Sequence, residues 1–179
     1  MQTLEDQMSF YAAYHQDLRN KVSHFIGVPA IIFGLFIALG WLRVDVAGFT
    51  FTTAMLLAAA VIVWYFLLDV PLALAMLAVN GVLLYFADQV SVQPIKAGAL
   101  WFLVFFGGGW VIQLVGHVFE GRKPALVDNF FQVFVAPIFL AAEVFFALGY
   151  KPTLHAAVQK RALEMRAKSK TGTDHVFEA

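Results

Sequence analysis

Five long apolar runs constrain this chain more than anything else in its sequence. They fall at about 24–42, 49–68, 70–87, 98–119 and 130–149, each 18 to 22 residues long. Crossing the roughly 30 Å hydrocarbon core of a bilayer takes about 20 apolar residues at 1.5 Å each, so any of the five is long enough to span. Composition agrees. The chain is 61% hydrophobic and 13% charged, whereas soluble domains run near 45–50% and 25%. The fold class that follows is all-α, an integral membrane helical bundle of four to five apolar helices. Residues 1–168 make a single membrane-embedded domain, and 169–179 read as a flexible C-terminal tail.

The flanking segments fit this plan. Residues 1–23 carry Glu5, Asp6, Asp17, Arg19 and Lys21 and lack the basic start and apolar centre of a cleaved leader. Tyr11, His15 and Leu18 recur at helical spacing, which predicts an interfacial helix ahead of the first insertion. Leu68, Asp69, Val70 and Pro71 make a tight helical hairpin between the second and third runs. A turn is expected at 44–48 and a longer one at 88–96. Residues 151–168 read as a short basic amphipathic helix, with Leu154, Val158 and Met165 near one side.

Charge orders the topology. With both termini and the 120–129 loop cytoplasmic, ten of the twelve Lys and Arg lie inside and only Arg43 and Lys96 lie outside. Five full crossings would instead put four inside and eight outside. Four crossings are therefore expected, with 130–149 entering and returning through a bend at Pro137. The zero net charge and the absence of a basic run exclude nucleic acid as a partner. Without cysteine, any metal must be held by His, carboxylate or water, which points to iron, zinc or manganese.

Two polar clusters break the apolar pattern. In GHVFEGRKPALVDN, Gly116 to Asn129, His117 and Glu120 lie three apart on one helix face, followed by the cations Arg122 and Lys123. In YHQDLRNKVSHFIGVP, Tyr14 to Pro29, Asn20 and His24 are i,i+4 neighbours. His15 and His24 are nine apart, about half a turn out of phase on one straight helix, so they can share a metal only where the helix breaks between them. The expected topology brings His15, His24, His117 and Glu120 to one membrane face. Glu143 joins them if the fifth run doubles back, and a carboxylate inside an apolar run is a functional candidate.

These motifs, YHxxxxNxxxHxxGVP, then QLVGHVFEGRKPALVDN, then APxFLAAE at Ala136 to Glu143, resemble the 2-hydroxy fatty acid dioxygenase family of small integral membrane proteins. The resemblance runs from about Phe10 to Tyr150. It implies a catalytic domain that uses Fe(2+) and O2 to remove one carbon from a 2-hydroxy fatty acid. By the same resemblance His15, His24 and His117 are iron ligands. Glu120 is the expected carboxylate ligand, and Glu143 and Asn20 complete the catalytic set. Arg122 and Lys123 are placed to hold the substrate carboxylate, and the acyl chain is expected between helices near Gly107 to Gly109, a triplet that also reads as a helix-packing site. The chain departs from the family at Gln16, where some relatives have a second His, and His155 and His175 lie outside the motifs. A bacterial inner membrane, or the endoplasmic reticulum in a eukaryote, is the expected location, and oligomers are compatible with it. Two other readings use the same residues: a non-catalytic lipid-binding or carrier protein, and a zinc-dependent lipid hydrolase.

Overall fold

A computed structural model describes residues 3–170 and is mostly helical. Helix α1, Leu4–Ala13, opens with a capping box in which the side chains of Thr3 and Asp6 each bond the other's backbone N–H. The chain then breaks at Tyr14 to Asp17, and Asp17 caps α2, Leu18–Gly40, by accepting from Arg19 N–H. Two short strands, β1, Arg43–Val46, and β2, Phe49–Thr52, pair antiparallel. Helices α3, Thr53–Leu68, and α4, Val70–Ser91, are separated by Asp69 alone, whose side chain caps α4 at Leu72 N. Helix α5, Ile95–Phe102, runs through a π turn at Leu103–Gly107 into α6, Gly108–Glu120. A short 3-10 turn, Ala125–Val127, leads to α7, Gln132–Ala147, and then to α8, Pro152–Lys170.

Three of these helices are long and apolar enough to cross a membrane by length and composition: Leu18–Gly40, Val70–Ser91 and Ile95–Glu120. Thr53–Leu68 and Gln132–Ala147 are shorter apolar helices. The second apolar run is shorter as a helix than its 20 residues promised because 49–52 is a strand. Its Val-Asp-Val and Phe-Thr-Phe-Thr alternation pairs across a turn at Ala47 and Gly48, both at positive φ. Helix α4 continues to Ser91, so the connection expected over 88–96 shrinks to Val92–Pro94.

Helices α2 and α6 form the closest pair, and small residues make that possible. A Cβ on Gly27 would lie 2.7 Å from Gln113 Cγ and 2.9 Å from the Gly109 carbonyl, so the two backbones approach as only glycine allows. Gly109 thus serves helix packing.

One end of the bundle gathers the polar connections. Asp69, in the α3–α4 turn, pairs with Lys151 at 2.5 Å. Arg161 of α8 pairs with Asp6 of α1, and Arg166 of α8 with Glu120 at the end of α6. Helix α7 runs unbroken through Pro137, so the bend expected there is not made. Its Glu143 pairs at 2.8 Å with Lys21 in the first turn of α2, and Tyr150 just beyond it reaches Asp69 at 3.3 Å. The C-terminal end of helix α7 therefore stays with this end. Helix α1, the helix expected at the interface ahead of the first insertion, packs on α7 and α8, burying Leu4, Met8 and Tyr11. In α8, Val158 and Ala162 are buried against it while Leu154 and Met165 are half-buried. Residues 169 and 170 end α8, and the rest of the expected tail, with His175, lies outside the described residues.

Candidate metal centre

The break between α1 and α2 undoes the half-turn mismatch of His15 and His24. It lets the chain fold back so that their Nε2 atoms stand 3.2 Å apart. His117 reaches the same point from the last turn of α6, its ring centroid 5.0 Å from each of the other two. All three are buried, and one nitrogen from each lies within 4.8 Å of the others.

The hydrogen bonds around these rings decide their chemistry. His15 Nδ1 lies 2.7 Å from the Tyr11 carbonyl and His24 Nδ1 lies 2.9 Å from the Asn20 carbonyl. A carbonyl only accepts, so each Nδ1 carries the proton and each Nε2 presents a lone pair. Two lone pairs facing at 3.2 Å repel unless a cation sits between them. A proton is a poor candidate, because burial, followed by the nearness of His24, pushes His15 well below the usual histidine range. His117 Nδ1 is buried without a partner. Tyr11 stacks on His15 with ring centroids 3.9 Å apart and planes within 7°, fixing the ring. Two imidazoles with their outer nitrogens tied to carbonyls, and a third buried imidazole converging on them, are a donor set that fits a divalent first-row metal.

The remaining sequence candidates stand elsewhere. Glu120, the expected carboxylate ligand, is buried but turned away from the cluster. Its Oε2 accepts from Gln16 N at 3.0 Å, Asp17 N at 2.7 Å and Asn20 Nδ2 at 3.3 Å, and its Oε1 faces Arg166. Asn20 points the same way, with Oδ1 buried and unpartnered. Glu143 is engaged by Lys21 and is not among the converging groups. Arg122 donates to the Ala13 carbonyl at 3.2 Å and to Ser169 Oγ, with its guanidinium over Tyr14. Lys123 pairs with Asp128 at 2.5 Å.

A cavity of about 110 Å3 opens from the three histidines, and neither Arg122 nor Lys123 lines it. From His24 it follows one face of α2 through Val28, Ile31, Leu35 and Phe36, about 18 Å along the helix. Residues of α3 and α6 form its sides. Its polar lining beyond the histidines includes Gln113, one turn before His117, and Asn80 on α4. Neither was among the site residues expected from the sequence. The i,i+4 spacing of Gln113 to His117 is the signal that marks the first.

The fold and centre define a helical protein with three helices suited to a bilayer and a buried trihistidine cluster heading an apolar cavity. The chain belongs to the family described as 2-hydroxy-palmitic acid dioxygenase Mpo1-like, whose model matches residues 1–148. It is 36% identical over 159 residues to 2-hydroxy-palmitic acid dioxygenase MPO1 of Saccharomyces cerevisiae, covering 87% of each chain. No solved structure matches it.

Proposed function

We propose that this protein is an iron(II)-dependent membrane dioxygenase that shortens 2-hydroxy fatty acids by one carbon. The observation that carries the reading is the convergence of three buried imidazoles at the head of an apolar cavity. The name of the yeast relative supports the substrate class. In this reading His15, His24 and His117 hold the metal. Iron(II) bound there supplies the activation of O2 that breaking the C1–C2 bond requires. The balance is one 2-hydroxy acid and one O2 giving one fatty acid shorter by a carbon, one carbon dioxide and one water, with no outside reductant.

The chain's own residues do the rest. The Tyr11 and Asn20 carbonyls hold the His15 and His24 tautomers so that both Nε2 lone pairs face inward. Val28, Ile31, Leu35 and Phe36 exclude water from the acyl chain and bury it at about 0.8 kcal/mol per methylene. Gln113 offers its amide to the head of the substrate. A cavity of about 110 Å3 is smaller than the roughly 150 Å3 that encloses a benzene, so a long acyl chain lies only partly within it and continues among the lipids. The end that carries the histidines faces the cytoplasm, with both termini, in a bacterial inner membrane or endoplasmic reticulum. The gathering there of Lys21, Lys151, Arg161 and Arg166 supports this orientation. Helices α2, α3, α4 and α5–α6 make four crossings, and residues 1–168 act as one catalytic domain.

Protein reconstituted with Fe(II) in detergent should convert 2-hydroxyhexadecanoate to pentadecanoate with uptake of O2, and should leave hexadecanoate unchanged. Zinc should not support turnover, having no redox chemistry. Equal turnover with zinc, or turnover without O2, would favour a hydrolase. No turnover with iron bound at the histidines would favour a lipid carrier.

A further inference from the structure

The sequence offers Glu120 as a metal ligand, yet in the structure its carboxylate accepts both N–H groups of the chain break that presents His15. Helix α1 ends and α2 begins across Tyr14 to Asp17, and such a break leaves carbonyls on one side and N–H groups on the other in need of partners. Glu120 Oε2 takes the N–H groups of Gln16 and Asp17, at 3.0 and 2.7 Å. On the other side the Ala13 carbonyl accepts from Arg122 at 3.2 Å and from Arg166 at 3.5 Å. Arg166 also pairs with Glu120 Oε1. The Glu120 side chain is fully buried and that of Arg166 is 22% exposed. A carboxylate so deep is stable only with a paired charge and filled lone pairs, and Arg166 is that charge. Arg166 sits on α8, beyond the 1–148 span that the family model matches.

We propose that Glu120 and Arg166 are a positioning pair: α8 docks on α1 and, through Arg166 and Glu120, locks the break that holds His15 against His24 and His117. Metal binding at the histidines is thereby coupled to the C-terminal helix. The inference rests on the reading that the three histidines hold a metal, and it assigns Glu120 a place outside the ligand set.

The test is a titration of full-length, untagged, metal-free protein in detergent with Co(II), following affinity, stoichiometry and the visible ligand-field spectrum. Glu120→Gln and Arg166→Met should each weaken Co(II) binding about 10- to 100-fold, the range for groups that orient ligands. Both should leave the spectrum of the saturated site unchanged. The double variant should be no weaker than the worse single one, since either change opens the same clamp, and Arg166→Lys should recover part of the loss. Unchanged affinity in Arg166→Met overturns the clamp. A shifted spectrum or lost stoichiometry in Glu120→Gln, with Arg166→Met unaffected, also overturns it and makes Glu120 a ligand. If Arg166→Met does not fold, Arg166→Lys decides: weaker binding supports the clamp and wild-type binding overturns it. Wild-type protein that binds no Co(II) removes the trihistidine reading and the clamp together, whereas wild-type binding with an unaffected Arg166→Met removes the clamp alone.

Discussion

Gly116→Ala is the most informative single substitution, because it tests how tightly the α2–α6 contact sets the histidine geometry. A Cβ at residue 116 would lie 1.9 Å from Ser23 Oγ, 2.7 Å from Asn20 Oδ1 and 2.9 Å from Ser23 Cβ. The first clash is relieved if the hydroxyl rotates away from its 2.7 Å bond to the Asn20 carbonyl. The last is not, since Ser23 Cβ is fixed to the α2 backbone. Restoring ordinary contact, which begins at 3.4 Å, requires about 0.5 Å of separation between the helices. Overpacking of this kind costs about 1–3 kcal/mol. Replacing a helical glycine returns about 1 kcal/mol, so the variant should be destabilised by up to about 2 kcal/mol. The second effect is local. His117 follows Gly116 and His24 follows Ser23, so the same shift parts two of the three imidazoles by more than the ~0.2 Å that a metal site tolerates. Metal affinity should fall at least about 10-fold. Thermal unfolding in detergent and Co(II) titration measure the two effects. In the Ser23→Gly background the same change should cost about 1–2 kcal/mol less, a coupling that a double-mutant cycle isolates. Gly116→Ala protein that is more stable by the helix-propensity gain, with unchanged metal affinity, would refute the reasoning.

Four further outcomes are expected. Single Ala substitutions of His15, His24 and His117 should each lose most of the metal in a folded protein, while His155→Ala should keep it; elemental analysis reads both. Glu143→Gln should retain metal but lower stability by about 2 kcal/mol, less than the 3–5 of a fully buried pair because Lys21 and Glu143 keep 18% and 17% side-chain exposure. Asp6 is held below its usual 3.8 first by the Thr3 backbone bond, then by the Thr3 hydroxyl and by Arg161; its contribution is therefore complete above pH 3.8 and lost as pH falls below it. The midpoint gap between wild type and Asp6→Asn should close on acidification from pH 5, and a constant gap would contradict this. Cysteines at Arg19, Lys123 and Lys168, one per variant, should label only once reagent reaches the cytoplasmic side; labelling of the Lys168→Cys variant alone in intact cells would establish five crossings.

Much of the fold was legible because membrane helices advertise themselves. Length and apolarity mark α2, α4 and α5–α6 in the sequence, and Asp69 with Pro71 marks the α3–α4 turn by capping chemistry. The hairpin at 43–52 was hidden because its Phe and Thr residues read equally as the start of an apolar run, and only pairing with 43–46 selects a strand. Pro137 misled in the other direction. A proline disfavours an interior helix position by about 3 kcal/mol, but α7 packs along α1 and α4, and that packing carries the helix through it.

The three histidines were legible as candidates for one face because topology brings the ends of α2 and α6 together, and His15 can meet His24 only across the break that the structure shows at Tyr14 to Asp17. The role of Glu120 was not. A carboxylate three residues after a histidine has one sequence signature whether it joins the metal or turns away from it, since both occupy the same helix face. What separates the two outcomes is competition for its lone pairs. The free N–H groups of Gln16 and Asp17 exist only once α1 and α2 have parted, and Arg166 arrives from 46 residues further along the chain. A buried carboxylate takes the partners that satisfy the most of its lone pairs, and here those partners are a helix end and a guanidinium. The carboxylate three residues after one histidine is thus the one that bonds the chain break presenting another, and the arginine that makes this tolerable lies in a helix with no motif of its own.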